Sequence, residues 1–292
     1  MSELVRAGER SWYLEGPTQV GIIEAGENRV WLIDAGGSKD AGRRIKKVLD
    51  DRGWTLAAIL LTHSHADHMG GCRYLQSQYD CPVYAPGAEA PLSRYPILEP
   101  SLIFGGFPPA ELRHKFLLAQ SCDAQDLTAP GFPAEVEPIP LPGHYLDMVG
   151  YRSPDGVVFL ADCLSSEETL GKYAVTFLYD AAAYLDTLHM IQSLKAPLFV
   201  PAHAPATDHI APLAQVNIQK VREIADLICH LCGGGHTFEA VLQGLFAHYG
   251  LTMTVQQNAL VGCTVKSYLT WLKETGRLTA RIEDNLLLWA KA

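Results

Sequence analysis

The chain has 292 residues, 48% of them hydrophobic and 19% charged, which suits one large or two ordinary globular domains. Its formal charge is −9; residues 1–214 carry 16 basic and 26 acidic side chains and residues 215–292 carry 7 and 6, so neither part has the basic excess of a nucleic-acid binder. No apolar run reaches the ~18–20 residues that span a bilayer, Met1–Glu9 lacks a basic start followed by an apolar core, and seven scattered cysteines point to reduced thiols in a cytoplasmic protein.

Taken in chain order, Ile59-Leu60-Leu61 reads as the end of a buried strand closing at Thr62. An H-x-H-x-D-H run follows at once: His63, His65, Asp67 and His68. In extended backbone, positions two apart face one side, so His63 and His65 can reach a single ion. The chain then turns into a helix predicted to run through Gly70 and Gly71 to about Gln78, and the turn redirects Asp67 and His68 towards a second ion beside the first. Residues 86–133 interrupt this pattern. They are rich in proline and in aromatics (Tyr95, Phe104, Phe107, Phe116, Phe132), with one short helix expected from Pro109 to about Ala119. A loop this long inside a domain is more often functional than filler, so its aromatics are expected to line or cover the metal site.

Three β-prone segments then each end in a further candidate ligand. Glu135–Leu141 precedes His144, Val157–Ala161 precedes Asp162, and Leu198–Ala202 precedes His203. Loops at strand ends are where a rigid sheet displays reactive groups. Ala181–Leu194 reads as an amphipathic helix and His209–Leu231 as a longer one, closed by Gly233–Gly235. Cys229 and Cys232 make a C-x-x-C near His230 and His236, but no second pair exists, and helix-end packing is the better reading. Thr237 can cap a helix to about Tyr249. Thr254 starts a weak segment, Val261–Thr275 has helical spacing, and Gly276–Leu278 with Asn285–Trp289 suggests a short hairpin.

Five imidazoles and two carboxylates suit two borderline-soft divalent cations, zinc first, with iron or manganese as alternatives. Such ions bring the pKa of bound water from about 15.7 towards about 7, and a pair about 3.5–4 Å apart can hold both nucleophile and developing oxyanion. The centre stays electropositive, which favours a small-molecule substrate that is anionic or carries a carbonyl. Asp67 is a candidate for handling the proton during turnover, and no serine or cysteine nucleophile is required.

In this order the residues resemble the metallo-β-lactamase superfamily over about residues 15–210. Val30-Trp31-Leu32-Ile33-Asp34-Ala35-Gly36 is similar to the family's early strand and Asp turn. The resemblance implies a four-layer αβ/βα sandwich with the site along one edge. It assigns His63, His65 and His144 to one ion, Asp67, His68 and His203 to the other, and Asp162 to a bridge between them. The bridging carboxylate implies the glyoxalase-II-like and phosphodiesterase-like branches. Lactonases of the family carry a tyrosine soon after that position; here Cys163-Leu164-Ser165-Ser166 follow, and Tyr179 is a distant candidate. Asp34 fits either an outer partner that orients a ligand imidazole or a plain turn residue.

Three helices and a small hairpin resemble a winged helix. The expected organisation is a catalytic domain at 1–214, with 86–133 shaping the pocket, and a helical winged-helix-like domain at 215–292. The near-neutral charge of the latter points to packing or homodimer formation and away from nucleic acid, and no membrane partner is expected. The leading expectation is a binuclear zinc hydrolase of a small thioester or ester, with Asp67 and Asp162 at the reaction centre and a metal-bridging hydroxide as nucleophile. The alternatives are a phosphodiesterase or ribonuclease with the C-terminal module as its nucleic-acid arm, and a mononuclear iron thiol dioxygenase.

Overall fold

An antiparallel meander opens the computed structural model, which describes residues 3–292: β1 (Leu4–Arg6), β2 (Ser11–Leu14), β3 (Val20–Gly26) and β4 (Arg29–Ile33). Helix α1 (Lys39–Arg52) then returns the chain to β5 (Thr55–Leu60), parallel to β4. Ser38 caps α1 by accepting from the Ala41 amide, and Gly53 ends it at φ 67°. With β6 (Val83–Ala85) and β7 (Ala124–Asp126) these strands form a seven-stranded sheet in chain order. A second sheet, ordered β11-β10-β9-β8, contains β8 (Glu137–Pro140), β9 (Val149–Arg152), β10 (Val158–Ala161) and β11 (Phe199–Pro201).

Period-two alternation sorts the apolar residues of the large sheet onto two buried faces. Ile22, Leu32 and Ile59 pack with Ile45 and Leu49 of α1 and with Met69 and Leu75. Their neighbours Ile23, Ile33 and Leu60 face the smaller sheet, where they share a core with Tyr151, Phe159 and Val200. Both faces of β3, β4 and β5 are therefore covered, which explains why these strands read as continuous apolar runs.

The structure corrects three local expectations. The helix after His65 is two helices, α2 (Ala66–Met69) and α3 (Cys72–Tyr79). A side chain at Gly70 would run into the Gly37 backbone, and one at Gly71 into the Ala35 carbonyl, so this break is also where two backbones touch. Segment 86–133 is not an irregular interruption. It holds α4 (Glu89–Arg94), α5 (Leu98–Phe104) and strand β7, whereas the expected helix from Pro109 to Ala119 is only a 3₁₀ turn at Ala110–Leu112. Pro91 and Pro100 sit in the first turns of their helices, where a missing N–H costs nothing, so prolines that suggest a loop are helix starts. The segments beginning at Thr254 and Val261 are one helix, Val255–Glu274, because Thr254 caps it and no residue within it breaks it.

The contacts divide the chain into two compact units. The first is residues 1–142, 146–164 and 194–210, and contains both large sheets. The second is residues 143–145, 165–193 and 211–292. It contains α6 (Glu167–Tyr173), α7 (Ala181–Ile191), α8 (Ala211–Leu231), α9 (Phe238–Tyr249), α10 (Val255–Glu274) and a hairpin of β12 (Leu278–Glu283) and β13 (Leu286–Lys291). Thr237 caps α9, and Asp284-Asn285 turn the hairpin with φ of 48° and 64°, the left-handed pair that two-residue turns require. Among the described residues, no helix is long and apolar enough to cross a membrane.

Within the second unit α10 supplies acceptors as well as core. Thr264 Oγ1 accepts from the Leu178 amide at 2.9 Å and Ser267 Oγ from the Ala181 amide at 2.7 Å, while Val265, Tyr268, Leu269 and Leu272 are buried. Ending the chain at Gly233 is therefore expected to leave two amides without acceptors and to bare the apolar face of α8, giving an insoluble or partly unfolded product. Soluble yield and helical circular dichroism check this; a soluble product with cooperative unfolding would contradict it.

Candidate metal centre

Asp34 organises the site from beneath. It ends β4 in a left-handed backbone conformation (φ 63°) and is almost fully buried. Its Oδ1 accepts from the Thr62 amide at 2.8 Å, the Thr62 hydroxyl donates to Oδ2 at 2.9 Å, and His68 Nδ1 lies 2.8 Å from Oδ2. The choice left open by the sequence thus resolves in favour of both roles: Asp34 closes the turn and orients an imidazole. The Ala35 amide donates to the His68 carbonyl at 2.7 Å, which ties the same turn to α2. Thr62 Oγ1 is also 3.0 Å from His63 Nδ1.

With Nδ1 of His68 held by Asp34, its Nε2 faces the opposite way, 3.0 Å from Asp162 Oδ1 and 3.6 Å from Asp67 Oδ2. His203 repeats the arrangement. Its Nδ1 donates to the Pro17 carbonyl at 2.7 Å, and its Nε2 lies 3.1 Å from Asp67 Oδ2 and 3.2 Å from Asp162 Oδ2. Asp67 Oδ2 in turn accepts from the Thr18 hydroxyl at 3.1 Å. The ligand atoms of Asp67, His68, Asp162 and His203 all lie within 4.8 Å of one another. Zinc takes nitrogen and carboxylate oxygen at about 2.0–2.2 Å, which puts tetrahedral neighbours about 3.3 Å apart. The observed 3.0–3.6 Å brackets that value, so these four side chains fit a divalent ion.

Asp162 and His203 are aimed by the ends of β10 and β11, whereas Asp67 and His68 are carried by α2. The pairing of β10 with β11 shifts register between Phe159 and Ala161, and Ala161 takes φ 48°, an irregularity that turns the next residue, Asp162. His63 and His65 follow β5 and are buried, with ring centroids 4.5 Å apart; His63 is 4.1 Å from His68. His144 belongs to the second unit, in the short segment 143–145. There Gly143 has φ 118° and no room for a side chain against the Tyr184 backbone, and the His144 ring lies edge-on to Phe177 at 5.7 Å. Tyr179 donates its amide to the Gly143 and His144 carbonyls and meets Tyr145 edge-to-face at 6.2 Å, so it backs the His144 segment. Cys229 and Cys232 are buried at the end of α8. Burial raises both thiols, Cys232 to about 11, as expected of packing residues.

Two buried acids escape a reading of the sequence. Glu89 is fully buried; Oε2 accepts from the Ser64 amide at 3.0 Å and hydroxyl at 2.6 Å, and Oε1 from the Asp147 amide at 3.1 Å. It thereby pins the H-x-H backbone to the loop before β9. Glu99, on α5, has Oε1 3.9 Å from His65 Nε2. Burial raises both carboxyls, Glu89 to about 7 against its hydrogen bonds from Ser64, and Glu99 well above the usual carboxylate range with help from Asp67. The available signal is a lone acid inside an apolar stretch, Ala88-Glu89-Ala90 and Leu98-Glu99-Pro100. The aromatics expected to cover the site behave differently. Phe132 packs against Tyr84 in the core at 5.6 Å, and Tyr95, Phe104 and Phe107 are exposed. Phe116 does share a cavity wall with Asp67 and His203.

Electrostatically the four-residue cluster is a set of mutually stabilised charges. Burial would pull the His203 imidazole down, but Asp162 and Asp67 outweigh it and hold the group up at about 10; His68 is raised by the same two carboxylates and Asp34. Burial pushes Asp67 and Asp162 up, yet the imidazoles hold both below the usual carboxylate range. A raised imidazole is fully protonated below its ordinary 6.5 and loses that proton as pH climbs through about 10. A metal takes the neutral ring, so its binding must expel these protons. Zinc uptake at pH 7 is therefore expected to release about one to two protons per chain from this cluster, and apparent affinity to fall as pH is lowered. Titration calorimetry in buffers of different ionisation enthalpy reads the count; no proton release would contradict it.

A family model described as the metallo-beta-lactamase superfamily matches residues 13–203. A hydroxyacylglutathione hydrolase of Nitrobacter hamburgensis is 36% identical over 124 residues, 42% of this chain and 39% of that protein. Another, from Shewanella denitrificans, is 30% identical over 150 residues, 51% and 45% respectively. The chain thus matches less than half the length of these curated relatives. Among solved structures, a beta-lactamase domain protein from Burkholderia ambifaria superposes with a TM-score of 0.70 at 15% identity, covering 99% of this chain and 94% of that one. A metallo-beta-lactamase family protein from Thermus thermophilus gives 0.68 at 15% identity over 100% and 98%. With the family model matching about two thirds of the chain, residues 13–203, and the same fold seen along nearly its whole length, this chain belongs to the metallo-β-lactamase superfamily.

Proposed function

We propose that the chain is a metal-dependent hydrolase of a small thioester or ester, working with two zinc ions. The observation that carries this reading is the convergence of Asp67, His68, Asp162 and His203 with their ligand atoms inside 4.8 Å, each imidazole held from behind through Nδ1. In this reading His63, His65 and His144 would hold one ion, Asp67, His68 and His203 would hold the other, and Asp162 would be available to both. Two such ions, when bound, would supply an activated water at neutral pH and a counter-charge for the developing oxyanion. Water then cleaves the acyl carbon–sulfur bond, giving a carboxylic acid and a thiol. We assign proton handling to Asp67 on position alone: it is partly exposed at the cluster and accepts from the Thr18 hydroxyl. Glu89 and Asp34 hold the backbone and the rings in place. Similarity to the hydroxyacylglutathione hydrolases supports the thioester class.

Residues 1–214 form the catalytic part in this reading, and 215–292 a winged-helix-like appendage that packs without reading nucleic acid. Support comes from its 7 basic against 6 acidic residues and the order of helices followed by a hairpin, since phosphate affinity rests on basic contacts. The test is a panel of thioesters, lactones, phosphodiesters and single-stranded RNA offered to zinc-loaded protein. Thioester or ester cleavage, lost with a chelator and restored by zinc, is expected. Cleavage confined to phosphodiesters or RNA would overturn the reading.

A further inference from the structure

Beside the metal cluster the first unit contains a cavity of about 550 Å³, within the range of small-molecule sites. Asp67 and His203 are part of its wall, so it is continuous with the proposed reaction centre. The rest of the wall is largely apolar. Ala41, Ile45 and Val48 present one stripe of α1, Leu14 and Val20 flank the β2–β3 turn, and Phe116, 67% exposed, comes from the segment between α5 and β7. The two wall hydroxyls are engaged, Ser38 as the cap of α1 and Thr18 on Asp67. Glu15, Arg44, Lys47, Asp51 and Lys115 also line the cavity and are exposed, and Lys47 Nζ is paired with Asp51 Oδ2 at 2.6 Å, so the charged groups lie on its solvent side. Along the stripe of Leu14, Val20, Ala41, Ile45 and Val48 an aliphatic chain would lose water contact along its length.

We infer that this cavity is an acyl site: it takes the aliphatic chain of a thioester whose carbonyl sits at Asp67 and His203. The inference rests on the hydrolase reading and narrows it to substrates with a chain well beyond acetyl. Thioesters of N-acetylcysteamine with acetyl, butyryl, hexanoyl and octanoyl groups test it on the zinc-loaded chain. kcat/KM is expected to rise about fourfold per methylene while the chain is being buried. Phe116→Ala, at an exposed position that the fold does not need, should lower the octanoyl-to-acetyl ratio several-fold, and Val48→Trp, which fills the cavity, at least tenfold. Calorimetry with the S-octyl thioether of N-acetylcysteamine on metal-free protein gives a readout independent of turnover. Binding with a negative heat-capacity change, weakened by both substitutions, is expected. Thioether binding without hydrolysis of any thioester would remove the hydrolase reading and leave the apolar site standing. Hydrolysis indifferent to chain length and to both substitutions, with no thioether binding, would overturn the acyl site and leave the hydrolase.

Discussion

Asp162→Ala is expected to lower hydrolysis at least about 100-fold and to cost the protein one of its ions. Loss of a mere outer partner of a ligand costs up to about 100-fold, and Asp162 stands nearer than that: its two oxygens lie 3.0 Å from His68 Nε2 and 3.2 Å from His203 Nε2. Alanine removes both contacts and a charge that offsets the cation. The fold should survive, because Asp162 follows β10 and the strand's own residues Val158, Phe159 and Leu160 supply the buried surface. Metal content by mass spectrometry and steady-state rates on the same preparation check this. Unchanged metal content and rate would make Asp162 only a residue at the end of a strand.

Asp34 should show the second large effect, through a different route. It touches no substrate, yet one carboxylate accepts from the Thr62 amide, the Thr62 hydroxyl and His68 Nδ1. Asp34→Ala leaves buried donors without an acceptor, and breaking a buried charged network of this kind costs about 3–5 kcal/mol. Asp34→Asn keeps the size and one acceptor, so it should fold while letting the His68 ring turn; its zinc affinity should fall about 10–100-fold. Chelator competition measures the affinity and thermal unfolding of the metal-free forms measures the stability. Wild-type zinc affinity in Asp34→Asn would reduce Asp34 to a turn residue.

Much of this is legible in the sequence because most of the candidate ligands are tied to strand ends. His63, Asp162 and His203 each follow an apolar run, and the structure ends β5, β10 and β11 just before them. Thr237 announces its helix by capping chemistry that acts within four residues. The failures share a cause as well. Segment 86–133 looks irregular because proline usually breaks a helix, although Pro91 and Pro100 stand where helices tolerate them. Glu89 and Glu99 carry only the faint signal of apolar neighbours, because their partners, Ser64, Asp147 and His65, are distant in sequence and the tertiary fold decides that they are buried. Phe132 and Phe116 look alike in sequence; one fills a core and the other lines a cavity, a difference that chain topology decides.

We propose that this chain holds two ions and uses them for hydrolysis. Elemental analysis of zinc-reconstituted protein, after removal of loosely bound metal and alongside a thioester assay, tests it most directly. The expected result is close to two zinc ions per chain, with activity that disappears on chelation and returns in proportion to the second equivalent. At most one ion per chain after full reconstitution, or thioester cleavage untouched by complete metal removal, would contradict it.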